Sequence, residues 1–302
     1  MNYSFKIQHF FLAFAFLVFV SSCNKKDSDS DKQQKEEQQI ADYVKTNNIS
    51  VQPTSSGLYY ISEKEGTGDT PGINDIVVIR YKGWTLDGQL FDSTDSTEVN
   101  NGSFSPSFKL CGPFKFNMKV DFPGWTETLM KMKAGGKAIA IMPSILVFND
   151  YVPRKFEFEL IEVIHDISAY EKQKISNYVA AKGKSFADST ATGNFYFETI
   201  TGIGTAPSSD KTVAIQYIGM LLDGRVFGHS DSGTNYSVAI GANEVLPGIE
   251  EAILKMKVGG ISTVVIPYYR AYDFDVKINS YNQIVIPWYS TLVYDIQLMS
   301  VQ

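Results

Sequence analysis

Residues 77–96, VVIRYKGWTLDGQLFDSTDS, return at 213–232 as VAIQYIGMLLDGRVFGHSDS. Tyr81 and Tyr217 stand 136 residues apart (217 − 81), and so do Phe91 and Phe227 (227 − 91). Upstream, SGLYYI at 56–61 faces TGNFYF at 192–197 with the same offset, and Tyr43-Val44 faces Tyr178-Val179 at 135 (178 − 43). Downstream, PGWTETLMKMKAGGKAIAIMP at 123–143 faces PGIEEAILKMKVGGISTVVIP at 247–267 at an offset of 124 (247 − 123), so copy one carries extra residues in between. Beyond that segment copy two is the longer one, with Phe156 opposite Tyr294 at 138 (294 − 156). A period of this length exceeds any solenoid unit and fits two tandem domains of ordinary size.

The local patterns agree between the copies. Residues 39–47 and 170–181 are free of proline and end near Asn or Gly, so each domain is predicted to open with a helix. Val77, Ile79 and Tyr81 alternate with Val78, Arg80 and Lys82, and Val213, Ile215 and Tyr217 alternate likewise, the period of a half-buried strand. Asp87-Gly88 and Asp223-Gly224 supply hairpin turns. Trp125, Leu129 and Met132, matched by Ile249, Ile253 and Met256, put one apolar stripe on a short helix, and Gly135-Gly136 and Gly259-Gly260 are expected to stop it. Many strands and one central helix per copy predict an α+β fold in which the helix stripe covers one face of an antiparallel sheet.

The amino terminus reads as an address. Residues 10–20 are wholly apolar, follow Lys6 and stop at Ser21-Ser22-Cys23, a run shorter than the ~20 residues a spanning helix needs. Phe19-Val20-Ser21-Ser22-Cys23 is similar to a bacterial lipobox, which makes 1–22 a signal peptide and Cys23 an acylated first residue that holds the protein at a membrane. Residues 24–39 contain no apolar side chain, so 23–39 is expected to be a flexible tether. Asn24 after the cysteine favours the outer membrane of the cell envelope, by analogy with lipoprotein sorting. Against other classes, 27 basic and 33 acidic residues argue against nucleic acid as a partner. Two cysteines cannot build a disulfide framework, and three histidines give little support to a metal site or a histidine triad. Gly66-Thr-Gly68 and Gly202-Ile-Gly204 precede strands and not helices, so they are turns and not phosphate loops.

Taken in order, a strand with Tyr, an Asp-Gly turn, Phe-Asp, a Pro-Gly-Trp helix, Lys-Met-Lys-x-Gly-Gly, a strand ending in Pro and a final aromatic strand resemble the FKBP-type peptidyl-prolyl isomerases. The resemblance covers 41–302, twice. It implies two FKBP-like domains, 40–166 and 167–302, each an antiparallel sheet wrapped around one short helix, here with an extra leading helix. It further implies a pocket for a prolyl side chain, proline-containing or unfolded polypeptides as partners, no cofactor and no metal. Carried over by position, the first pocket comprises Tyr81, Phe91, Asp92, Phe122, Trp125 as its floor, Phe148 and Phe156. Phe148 stands where the family has a flap tyrosine, and this flap is short. The second pocket comprises Tyr217, Phe227, Glu244, Val245, Leu246, Ile249, the flap tyrosine Tyr272, Ile286 and Tyr294. It departs from the pattern at Gly228, where the family has Asp, and at Ile249, where it has Trp. Without the resemblance, the strand aromatics and Trp125 read as core, Asp92 as a turn cap, and Tyr272, beside Tyr268 and Tyr269, as surface decoration. Two functions follow: a lipid-anchored isomerase and folding helper, or a non-catalytic peptide-binding or assembly module with worn pockets.

Overall fold

Both stretches that alternate in hydropathy form long central strands. The computed structural model describes residues 28–100, 111–120, 122–231, 233–278 and 284–302. The expected signal peptide and the acylated Cys23 lie outside the described residues. Among those described, no helix is long and apolar enough to cross a membrane. The chain divides into two compact units between His165 and Asp166. That is one residue before the expected boundary, because Asp166 is the N-cap of the helix that follows and accepts the Ala169 amide at 3.0 Å.

The first unit contains α1 (Asp29–Thr46), β1 (Tyr59–Lys64), β2 (Ile76–Thr85), β3 (Leu90–Ser93), α2 (Ser96–Asn100), β4 (Phe114–Asn117), α3 (Pro123–Met130), β5 (Gly136–Met142) and β6 (Arg154–Ile164). Its antiparallel sheet runs β1-β5-β6-β2-β3, with β4 also paired to β2. The second unit contains α4 (Ile167–Ala181), β7 (Phe195–Ile200), β8 (Thr212–Leu221), β9 (Val226–His229), β10 (Tyr236–Ala239), α5 (Pro247–Lys255), β11 (Ile261–Ile266), the short ribbon β12 (Lys277–Ile278) and β13 (Ile284–Ile286), and β14 (Leu292–Val301). Its sheet repeats the topology as β7-β11-β14-β8-β10, with β9 also on β8. Register follows the repeat: Gly83 faces Phe156 in one sheet and Gly219 faces Tyr294 in the other.

The short helices bury the predicted stripe, with Trp125, Leu129 and Met132, and Ile249, Ile253 and Met256, all buried. They end earlier than expected, at Met130 and Lys255. Gly135 and Gly259, at φ +85° and +86°, make the turns into β5 and β11 and do not cap the helices. The opposite face of the second sheet is covered by α4, whose Ile175 and Val179 pack with Phe195, Phe197, Val265 and Val293.

The tether expected at 23–39 is helical from Asp29 onward. Ser28 and Asp31 form a reciprocal capping box, and Asp29–Lys32, Gln33–Glu37 and Gln38–Asp42 pair along the helix surface. Absence of apolar residues excluded self-sufficient folding but not a helical extension of the docked turn that follows. The anchor of that extension is Glu36. It is 6% exposed and accepts both the Ser144 amide and, at 3.1 Å, the Ser144 hydroxyl. Glu171, 135 residues on (171 − 36), is buried in α4 and accepts from the Thr291 hydroxyl at 2.7 Å. Replacing Glu36 with Ala strands two donors in a dry site, which costs about 1–3 kcal/mol. Urea denaturation should show a loss of unfolding free energy of that size for Glu36→Ala and a smaller one for Glu36→Gln.

Candidate functional site

In both units the pocket-lining strands carry a glycine under the rings. A Cβ on Gly83 would lie 2.8 Å from both Phe91 and Phe156, and one on Gly219 would lie 2.6 Å from Phe227 and 3.0 Å from Tyr294. Only a hydrogen fits there, so the rings settle directly on the backbone. These glycines were not singled out from the sequence, although both stand two residues after the repeated tyrosine and could have been.

In the first unit the expected residues converge. Ring centroids link Trp125 to Phe156 (5.3 Å), Phe156 to Phe91 (5.7 Å), Phe91 to Phe148 (5.9 Å), Phe148 to Phe122 (6.4 Å) and Phe122 back to Trp125 (5.9 Å), a closed circuit of five rings. Tyr81 joins it edge-on to Trp125 at 4.6 Å, and the Tyr81 hydroxyl donates to the Asp92 carboxylate. Burial, reinforced by that carboxylate, holds the Tyr81 phenol well above its usual range, so it stays neutral. The Trp125 indole Nε1 is buried without a hydrogen-bond partner among the described residues. Phe114, Phe116 and Phe158 extend the cluster and were not expected. Arg154 adds a cation, its guanidinium 5.4 Å over Phe91 and 5.2 Å over Phe148 and paired to Asp150 at 2.7 Å.

The second unit holds a half-open cavity of about 310 Å³. Tyr217, Phe227, Glu244, Val245, Leu246, Ile249, Tyr272, Ile286 and Tyr294 all line it, as does Gly228. Tyr294 sits between Tyr217 (6.1 Å) and Phe227 (5.6 Å). Burial raises the phenols of Tyr217, Tyr272 and Tyr294, so these three hydroxyls stay neutral at physiological pH. Tyr236 and Lys277 also line it and were missed. Tyr236 was hidden by the gap between the copies. It faces Ile215 as Phe114 faces Ile79, at an offset of 122 (236 − 114) shared by neither flanking segment.

The two sites differ at one carboxylate. Where Asp92 holds Tyr81, Tyr217 has Gly228, and a Cβ there would meet nothing within 4 Å. Gly228→Asp should therefore fold with a stability change within about 0.5 kcal/mol. The new carboxylate should accept from the Tyr217 hydroxyl and raise its pKa further, so ultraviolet titration should show one more tyrosine resisting alkaline ionisation. An unchanged titration curve would count against the equivalence of the two sites.

A family model described as FKBP-type peptidyl-prolyl cis-trans isomerase matches residues 68–159 and 204–299. Among curated relatives, a probable FKBP-type isomerase FkpA of Neisseria meningitidis is 37% identical over 100 residues, 33% of this chain and 32% of that protein. FkpA of Aeromonas hydrophila is 35% identical over 128 residues, 42% of each chain. The outer membrane protein MIP of Legionella longbeachae is 35% identical over 94 residues, 31% of this chain and 35% of that one. The chain thus spans about a third to two fifths of the length of these relatives. With both family segments falling on the two ring-lined units, the chain belongs to the FKBP-type peptidyl-prolyl cis-trans isomerase family.

Proposed function

We propose that the chain is a peptidyl-prolyl cis-trans isomerase acting on proline-containing or unfolded polypeptides in the cell envelope. The observation that carries this reading is the cavity of the second unit, walled by the aromatic and aliphatic side chains that the family pattern assigns to prolyl binding. Rotation about an X-Pro bond breaks no covalent bond, so the chemistry requires neither nucleophile nor leaving group. Its barrier is the ~18–20 kcal/mol needed to break amide resonance. A planar amide is stabilised by hydrogen bonds from water to its polar carbonyl, and a dry cavity withholds them. The twisted amide has less charge separation and loses less in such a place, and every 1.36 kcal/mol of that difference is tenfold in rate. The residues of the first pocket serve as a second prolyl site in this reading, with Trp125 as floor.

The closed ring circuit of the first unit, with Arg154 pinned across Phe91 and Phe148, favours a second reading for that unit alone: a docking module without turnover. Proline tetrapeptides and the full chain separate the two. Exchange spectroscopy should show catalysed cis/trans exchange that falls in Tyr272→Ala of the second unit, and exchange that remains there but is lost on adding Trp125→Ala would assign turnover to the first unit as well. Peptide binding with no exchange above the uncatalysed rate would leave only the docking role.

Lipid anchorage belongs to the same reading and is supported by the lipobox-like Phe19-Val20-Ser21-Ser22-Cys23. Relatives include one named as an outer membrane protein. Labelled palmitate should enter the wild-type chain in bacteria and not Cys23→Ser, and a variant still labelled would refute Cys23 as the acylated residue.

A further inference from the structure

We infer that Lys277 makes the second pocket selective for proline flanked by an acidic residue. This rests on the reading of that cavity as a prolyl site. Of the described side chains lining the cavity only two carry charge, Glu244 and Lys277. Glu244 is turned onto the end of β10, where its carboxylate accepts the Ala239 amide at 3.0 Å. Lys277 has no acid within ion-pair distance among the described residues. Its ammonium lies 4.2 Å from the centroid of the Tyr272 ring, on the lid of the cavity. Pairing of β12 with β13 sets Lys277 directly opposite Ile286, another lining residue, so the lysine backbone is held in a ribbon beside the cavity wall.

The first unit shows a cation with an acid partner in the same neighbourhood. Arg154 also lies over two pocket aromatics, but its Nη2 pairs with Asp150 at 2.7 Å and its Nη1 donates to the Val152 carbonyl. The second unit has Gly228 where the first has Asp92, and its lid lysine has no partner acid among the described residues. A ring face attracts a cation weakly and leaves its remaining N–H donors open. A carboxylate on the residue next to the bound proline completes that half-made ion pair. A basic neighbour is repelled. Asp231, exposed two residues past β9, bears on the Tyr217 phenol and opposes an acid placed near Tyr217.

The test uses the full chain carrying labelled isoleucine methyl groups. Ile249 and Ile286 line the cavity, so their shifts report binding in the second unit alone. Tetrapeptides with Glu, Gln or Lys before or after the proline are titrated at low salt. At the favoured flanking position the Glu peptide should bind roughly three- to fivefold tighter than the Gln peptide, the range of a half-exposed ion pair, and the Lys peptide weaker than both. The Glu-to-Gln ratio should collapse to about one in Lys277→Met, invert in Lys277→Glu, and shrink in high salt. Equal binding of Glu and Gln peptides by the native chain, or a preference surviving in Lys277→Met, overturns the inference while leaving the prolyl site intact. If no proline peptide moves either methyl, the prolyl reading of the cavity itself falls.

Discussion

A helix of eight or nine residues does not hold itself together in water, so α3 and α5 exist only because a curved sheet buries their apolar stripe. Everything at the two sites depends on that burial. The first residue of each stripe, Trp125 or Ile249, is pressed toward the sheet, and there it meets the aromatics of the central strands. The same contact forms the core and the floor of the site, which is why a pocket residue and a core residue are one and the same in this fold.

Glycine governs how close the site sits to the backbone. Gly83 and Gly219 let the rings of Phe91 and Phe156, or Phe227 and Tyr294, rest on a central strand. With that arrangement kept in both units, the sites diverge by single side chains. Asp92 holds the neutral Tyr81 hydroxyl in a hydrogen bond, whereas Tyr217 is left half-buried with open space beside Gly228. Phe148 and Arg154 close over the first ring circuit, while Tyr272 and Lys277 roof a cavity in the second. Duplication has left one architecture with two electrostatic characters.

The leading helices show a repeated device of another kind. Glu36 and Glu171 are carboxylates buried against the hydroxyls of Ser144 and Thr291, just outside the sheet strands at segments that flank the flaps. In α1 this contact reaches back through a wholly polar stretch and turns what composition marks as spacer into ordered helix. Polar sequence rules out folding alone; it does not rule out folding by attachment.

Much of the architecture was legible from the repeat. Two copies of a strand, turn, helix and strand series, with alternation of period two and a stripe of period three to four, define the main elements and their order, because these depend on local periodicity, while the expected lining residues came from the family resemblance, position by position. Tyr236, Lys277, the circuit closed by Phe148, and the helical start at Asp29 were decided by tertiary structure. Tyr236 lies in a segment where the copies lose register, Lys277 is brought to the cavity by a short ribbon, and Glu36 finds Ser144 across 108 residues of chain. A linear pattern encodes which face a residue presents, but which distant residue it meets is settled only when the sheet closes on its helix.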